Sequence, residues 1–245
     1  LPLYRWFDAD RRCESVPVNA TVGDGDPDET ARAVAEAVDA GFDCCKVKVG
    51  ARSVAEDAGR LRAVRDRVGE DVTLRADANG AWSRAEAETA FERFASLGVE
   101  YVEQPLAPGD VAGHADLRGG PVGVALDESL VHERADTVLS ADAADVLILK
   151  PMVLGGPGNA HTLAMRAREA GVEPVVTTTI DGVVARMAAL HVAAAVPNVA
   201  PCGLATGDRL ARDLAPDPAT VEAGELSVPQ TDGLGIDPAA VKSDA

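Results

Sequence analysis

The chain has 245 residues, 47% hydrophobic and 26% charged, an ordinary balance for a soluble protein of one large or two small domains. Its formal net charge of −17 argues against nucleic acid or an anionic membrane as partner, since both need clustered positive charge. No apolar run is long enough to span a bilayer and no basic-then-apolar leader is present, so a cytoplasmic protein is expected.

In chain order, strand-like runs are predicted at 16–22, 44–49, 73–77, 101–103, 122–126, 146–150, 174–177 and, more weakly, 199–204. Alanine-rich amphipathic stretches separate them at 28–40, 53–68, 83–97, 112–117, 133–140, 159–170 and 182–196. Asp28 precedes an acidic first turn, and Ser83 opens a capping box with Glu86 three residues on. Gly41, Gly98 and Gly171 mark helix ends where a left-handed residue closes the last turn.

Strands alternating with helices about every 25 residues imply parallel strands joined by helical crossovers. The fold class is therefore α/β, and eight strands with seven intervening helices fit a (β/α)8-type barrel. An open doubly wound sheet fits less well, because neither GxGxxG nor GKS/T occurs. Residues 211–245, with LAPDP and VPQTDG, read as loops and a short hairpin packing on a barrel that spans 16–210. Leu1 is not a usual start residue, so a processed or truncated product, or the ordered part of something longer, is expected.

Of the 23 basic residues only four are lysine: Lys46, Lys48, Lys150 and Lys242. An acidic, lysine-poor chain suits either simple solubility or a salt-rich cytoplasm. Cys13, Cys44, Cys45 and Cys202 form no CxxC pair, and reduced structural thiols are expected.

In a β/α barrel the C-terminal strand ends carry the chemistry. Here they read KVKVG, RADANG, VEQPL, ALDESL and LILKP, each apolar run finishing in a charge. Lys46 and Lys48, two apart on a strand, project from one face. Asp77, Glu103 and Asp127 stand 26 and 24 residues apart, one per successive strand. Three carboxylates converging at one mouth need a positive partner, and hard oxygen ligands suit magnesium. Taken singly, each acid also reads as a helix N-cap and each lysine as a solvated charge; the order Lys, acid, acid, acid, Lys over five strand ends favours a site. A lysine, unlike arginine, can have its pKa lowered into a catalytic range.

KVK, DANGAW, VEQP, DES and LKP, in this order, resemble the enolase superfamily in its muconate-lactonizing subgroup. VPVNATV, LKPMVLGG and GLATGDRL are most similar to its o-succinylbenzoate synthase branch, which serves menaquinone biosynthesis. The resemblance implies the (β/α)7β form of the barrel, with residues 1–15 as a link from an N-terminal capping domain. It implies magnesium, with manganese as an alternative, held by Asp77, Glu103 and Asp127 and gripping the carboxylate of a small-molecule substrate. Lys48 is then the base and later the acid of a syn β-elimination of water. Lys46 keeps the Lys48 pKa low by like-charge repulsion, and Lys150 holds a cation on the opposite face.

Asn79 and Glu128 read as orienting groups behind the ligands, or equally as a turn asparagine and a first-turn acid. Thr177 and Thr178 could hydrogen-bond substrate or simply end a strand; Gly203 and Gly207 could admit a carboxylate or form a turn. Trp82 reads as packing. His114, His132, His161 and His191 fall in helices or connections, and no strand-seven histidine appears, which disfavours the racemases built on a His–Asp dyad. N-acylamino acid racemase, dipeptide epimerase and muconate cycloisomerase remain alternatives. PCGLATG lacks the acidic pair that dipeptide epimerases place after the eighth strand. A homo-oligomer is compatible with the sequence.

Overall fold

The computed structural model describes residues 1–241, so Lys242 and the end of the C-terminal segment lie outside the described residues. The first elements are α1 (Tyr4–Phe7), β1 (Ser15–Pro17), β2 (Ala20–Val22), α2 (Pro27–Asp39), β3 (Cys44–Lys48), α3 (Val54–Val68), β4 (Thr73–Asp77), α4 (Arg84–Ala95) and β5 (Val99–Glu103). Then come α5 (Val111–Leu117), β6 (Gly123–Leu126), α6 (Ser129–His132), α7 (Ala135–Ser140), β7 (Val146–Leu149), α8 (Pro157–Glu169), β8 (Glu173–Val176), α9 (Val183–Ala195), β9 (Val221–Glu222) and β10 (Glu225–Ser227). Strands β2 to β7 pair in parallel in the order of the sequence, and β1, β10 and β9 form a separate three-stranded sheet.

The chain divides into two compact units. Among the described residues, one comprises 1–19, 149–169 and 174–241; the other comprises 20–148 and 170–173.

The second unit holds the regular βα repeats. Its helix starts are fixed by side chains: Asp26, Ser53 and Ser83 each cap a helix, with Glu29, Glu56 and Glu86 returning the bond to the cap's own N–H. The α2 cap is Asp26 rather than Asp28 because Pro27, with φ preset and no N–H to satisfy, takes the first helical position. The parallel pairing β2–β3–β4–β5–β6–β7 is continuous in register apart from one irregularity between Leu74 and Ala76. Leu61, Val64, Leu74, Phe94, Val102, Val124 and Leu126 are fully buried in its core. The predicted helix at 133–140 is α7, and an unpredicted short helix, α6, precedes it, the two separated where Glu133 turns extended.

In the first unit the run 16–22 does not remain one strand. β1 pairs antiparallel with β10, whereas β2 continues into the parallel sheet of the other unit. The change occurs where Val18 donates to Gly224 and Asn19 donates to Cys202. The predicted eighth strand makes only single bridges, Val18 with Cys202 and Thr177 with Gly203. Pro201, lacking an N–H, interrupts the ladder beside them. The β9–β10 hairpin matches the predicted C-terminal hairpin.

Helix α9 is buried almost throughout. The unpredicted helix α1 rests on it, with the Tyr4 and His191 rings stacked at 5.9 Å. Burial pushes the His191 imidazole down to about 4, against a weaker opposing pull from the Leu234 backbone. Between that value and the unfolded one near 6.5, only the unfolded chain takes up the proton. Stability is therefore expected to fall, by up to roughly 3 kcal/mol, as pH drops from 7 to 4. A His191→Phe variant should lack that component in urea titrations at the two pH values; equal pH slopes would refute the assignment.

All four cysteines are free thiols. Among the described residues, no helix is long and apolar enough to cross a membrane.

Candidate active site

The lysines of KVKVG sit at the end of β3, beside the acids that end β4 and β5. Register places Lys48 opposite Asp77 and Asp77 opposite Glu103, so three charges form a row across three adjacent strands. Lys46, two residues back on the same face of β3, is level with Arg75. Asp77, Glu103 and Asp127 are at most 3% exposed. Asp77 and Glu103 end β4 and β5, and Asp127 directly follows β6, so each acid stands where a largely buried strand finishes.

The amines close on the acids. Lys46 Nζ lies 2.5 Å from Glu103 Oε2 and 3.4 Å from Asp77 Oδ2. Lys48 Nζ lies 2.6 Å from Asp77 Oδ2 and 2.7 Å from Asn79 Oδ1. The Asn79 amide donates in turn to Glu128 Oε1 at 3.0 Å. The Lys46 side chain is 11% exposed and that of Lys48 is 38%, so of the two only Lys48 can readily meet a substrate.

Electrostatics follows from this packing. Burial opposes charge on Lys46, yet Glu103 and Asp77 outweigh it and hold the amine above the ordinary lysine range, a fixed cation. Burial also raises the Asp77 carboxyl, but Lys46 and Lys48 bring it below its usual value. Glu103 is raised above the usual carboxylate range, chiefly by burial, with Asp77 and Asp127 adding to the rise against Lys46. Asp77, Glu103 and Asp127 thus share one field.

Backbone geometry sharpens each strand end. Asn79 and Gln104, just beyond the acids of β4 and β5, both adopt positive φ, 46° and 44°. Gly50, after β3, has φ +90°, and a Cβ there would lie 2.7 Å from the Ala81 Cβ. Gly50→Ala is expected to cost about 1–3 kcal/mol, read as a lowered urea midpoint. An unchanged midpoint would show that this turn relaxes freely.

Sequence reasoning missed two supports. The Gln104 Oε1 accepts the N–H groups of Asp127 at 3.1 Å and Ser129 at 3.0 Å, tying the β5 end to the β6 end. Its position between Glu103 and Pro105 was the available signal. Arg75 is 1% exposed, pairs with Glu100 at 2.6 Å and lies 4.8 Å over the Tyr101 ring, a second buried cation level with Lys46. A charge inside an otherwise apolar strand was its signal.

Lys150, Thr177, Thr178 and Gly203 lie in the first unit. Lys150 directly follows β7 and is half-buried. Thr177 and Thr178, just past β8, are buried. The Thr177 hydroxyl donates to the Gly203 carbonyl at 3.0 Å, and the Thr178 and Thr206 hydroxyls lie 3.1 Å apart. Gly203 is required for this approach, since a Cβ would lie 2.3 Å from Thr177 Oγ1. Trp82 packs edge-on against Phe94 at 5.9 Å.

Among the described residues, no three His, Cys, Asp or Glu side chains are gathered into a ready coordination shell. Asp77 and Glu103 turn instead onto the two ammonium groups. The donor set still suits a hard divalent cation: three carboxylates in one field, with positive charge drawn to them.

A family model described as enolase C-terminal domain-like matches residues 29–242. The chain belongs to this family. It is 39% identical over 240 residues to an o-succinylbenzoate synthase of Thermobifida fusca, covering 93% of this chain and 73% of that protein. It is 34% identical over 247 residues to an L-Ala-D/L-Glu epimerase of Bacillus subtilis, covering 98% and 66%. The solved N-succinyl Arg/Lys racemase of Bacillus cereus superposes with a TM-score of 0.90 at 29% identity, over 99% of this chain and 65% of that one. The chain thus spans about two thirds of the length of these relatives. The barrel class expected from the sequence is the class of these enolase-superfamily folds.

Proposed function

We propose that the chain carries the reaction site of a magnesium-dependent hydro-lyase. The enzyme removes the proton alpha to a substrate carboxylate and then expels water syn, giving o-succinylbenzoate. The observation that carries this reading is the in-register row Lys48–Asp77–Glu103 with Lys46 behind it. The choice of product is supported by the 39% identity to o-succinylbenzoate synthase and by the LKPMVLGG and GLATGDRL segments.

Asp77, Glu103 and Asp127 are the residues that would hold the cation, which when bound supplies Lewis-acid stabilisation to a substrate carboxylate. Lys48, as neutral amine, takes the alpha proton while the C–H electron pair moves toward the carboxylate. The resulting ammonium returns that proton to the departing hydroxyl as the C–O bond breaks and the carbon–carbon double bond forms. One water leaves and Lys48 ends neutral. Lys46 contributes a fixed positive charge beside Asp77 and Glu103. Asn79, braced by Glu128, orients the Lys48 amine. Lys150, Thr177, Thr178 and Gly203 enter the reading on their sequence positions: Lys150 as a cation for developing charge, the others as substrate contacts.

A second reading, racemization of an N-acylamino acid, is favoured by 33% identity over 195 residues to an N-succinyl-L-Arg/Lys racemase. It calls for lysines at two strand ends, and the ends of β3 and β7 supply them. One assay of the full-length protein with magnesium separates the two. Loss of the cyclohexadiene carboxylate at a kcat/KM well above that for racemization of N-succinylamino acids supports the first, and the reverse order replaces it with the second.

A further inference from the structure

Outside the row of lysines and acids, Arg60 and Asp57 on α3 form a buried, multiply bonded pair in the second unit. Their side chains are 1% and 0% exposed, and Arg60 Nη1 lies 2.7 Å from Asp57 Oδ1. The same Nη1 donates to the Lys48 carbonyl at 2.8 Å, and the other Asp57 oxygen accepts the Gly50 N–H at 2.7 Å. The pair therefore holds the backbone on both sides of Val49, starting at the lysine assigned as base. The rest of the guanidinium gathers the loop before α2: Nη2 donates to Gly23 O and Nε to Gly25 O, each at 2.8 Å, and Nε also reaches Thr30 Oγ1 at 3.2 Å.

A buried ion pair is often no more stabilising than apolar groups of the same volume, so stability alone is a weak account of this one. What a planar, multidentate fork provides is fixed geometry. We propose that Arg60 and Asp57 are positioning residues for the Lys48 amine, locking the backbone of Lys48 and Gly50 to α3 so that the side chain reaches Asp77 and Asn79 in one orientation. This rests on the reading of Lys48 as the base.

Arg65, on the same helix, is the matched control. It likewise collects carbonyls, those of Leu97, Gly69, Val72 and Gly98, but these precede β4 and β5, at the opposite ends of the strands. In the full-length protein with magnesium, Arg60→Lys and Asp57→Asn are expected to lower kcat about 10–100-fold with KM changed less than about threefold, as for a slightly misplaced catalytic group. Arg65→Lys is expected to leave kcat within about twofold even where it lowers the unfolding midpoint.

A second readout needs no turnover. With so few lysines, the Lys48 side-chain NMR signal can be assigned from Lys48→Arg, and Asp57→Asn should broaden or shift it while Arg65→Lys leaves it unchanged. Wild-type kcat together with an unmoved Lys48 signal in Asp57→Asn would overturn the proposal, as would equal kcat losses in the Arg60 and Arg65 variants. Retained turnover in Lys48→Arg would instead remove the functional reading, and the NMR comparison would still judge whether the pair orders that side chain.

Discussion

Replacing Lys48 by arginine is expected to reduce turnover by about 10³-fold or more while leaving the fold and magnesium affinity nearly intact. General acid–base transfer by a positioned group is worth roughly 10²–10⁴-fold, and a guanidinium cannot give up its proton near neutral pH. It can still pair with Asp77, which the Lys48 amine meets at 2.6 Å, so the acid row keeps its counter-charge. The check is kcat on the cyclohexadiene carboxylate, with unfolding midpoint and magnesium titration measured alongside. Turnover near wild type would mean that some other group takes the proton.

The second large effect is expected at Glu103. Changing it to glutamine removes one of the three acids and leaves Lys46 with Asp77 at 3.4 Å as its remaining partner. Magnesium affinity should fall by more than the roughly 10–100-fold typical of groups that merely support a ligand. Stability should fall toward the low end of the roughly 3–5 kcal/mol seen when one member of a buried pair is removed, because Asp77 still compensates Lys46. Adding Lys46→Met to Glu103→Gln separates the two consequences. With the buried, only partly compensated ammonium gone, stability should recover while magnesium binding stays lost. Calorimetric titration that finds unchanged magnesium affinity in the single variant would exclude Glu103 as a ligand.

The legibility of this protein in its sequence follows the physics of parallel strands. A strand buried on both faces must be apolar, so a charge at its end stands out, and Asp77, Glu103, Asp127, Lys48 and Lys150 could be found one by one. Helix starts were equally open to reading where a capping box is written locally, as at Ser83 with Glu86. At α2 two aspartates compete, and the choice of Asp26 turns on Pro27 accepting the first helical position.

What the sequence determined by itself was the alternation of elements, the family, and the residue types offered at each strand end, because all of these depend on local pattern. Tertiary structure alone decided which charge meets which. Register put Lys48 level with Asp77, and Lys46 reached past its own neighbour to Glu103. It also split the run 16–22 between two sheets and reduced 199–204 to isolated bridges, since strand pairing depends on partners distant in the chain. The Arg60–Asp57 clamp was invisible for the same reason. An i,i+3 pair on a helix looks like a solvated surface pair until packing buries it against the carbonyl of the lysine it holds.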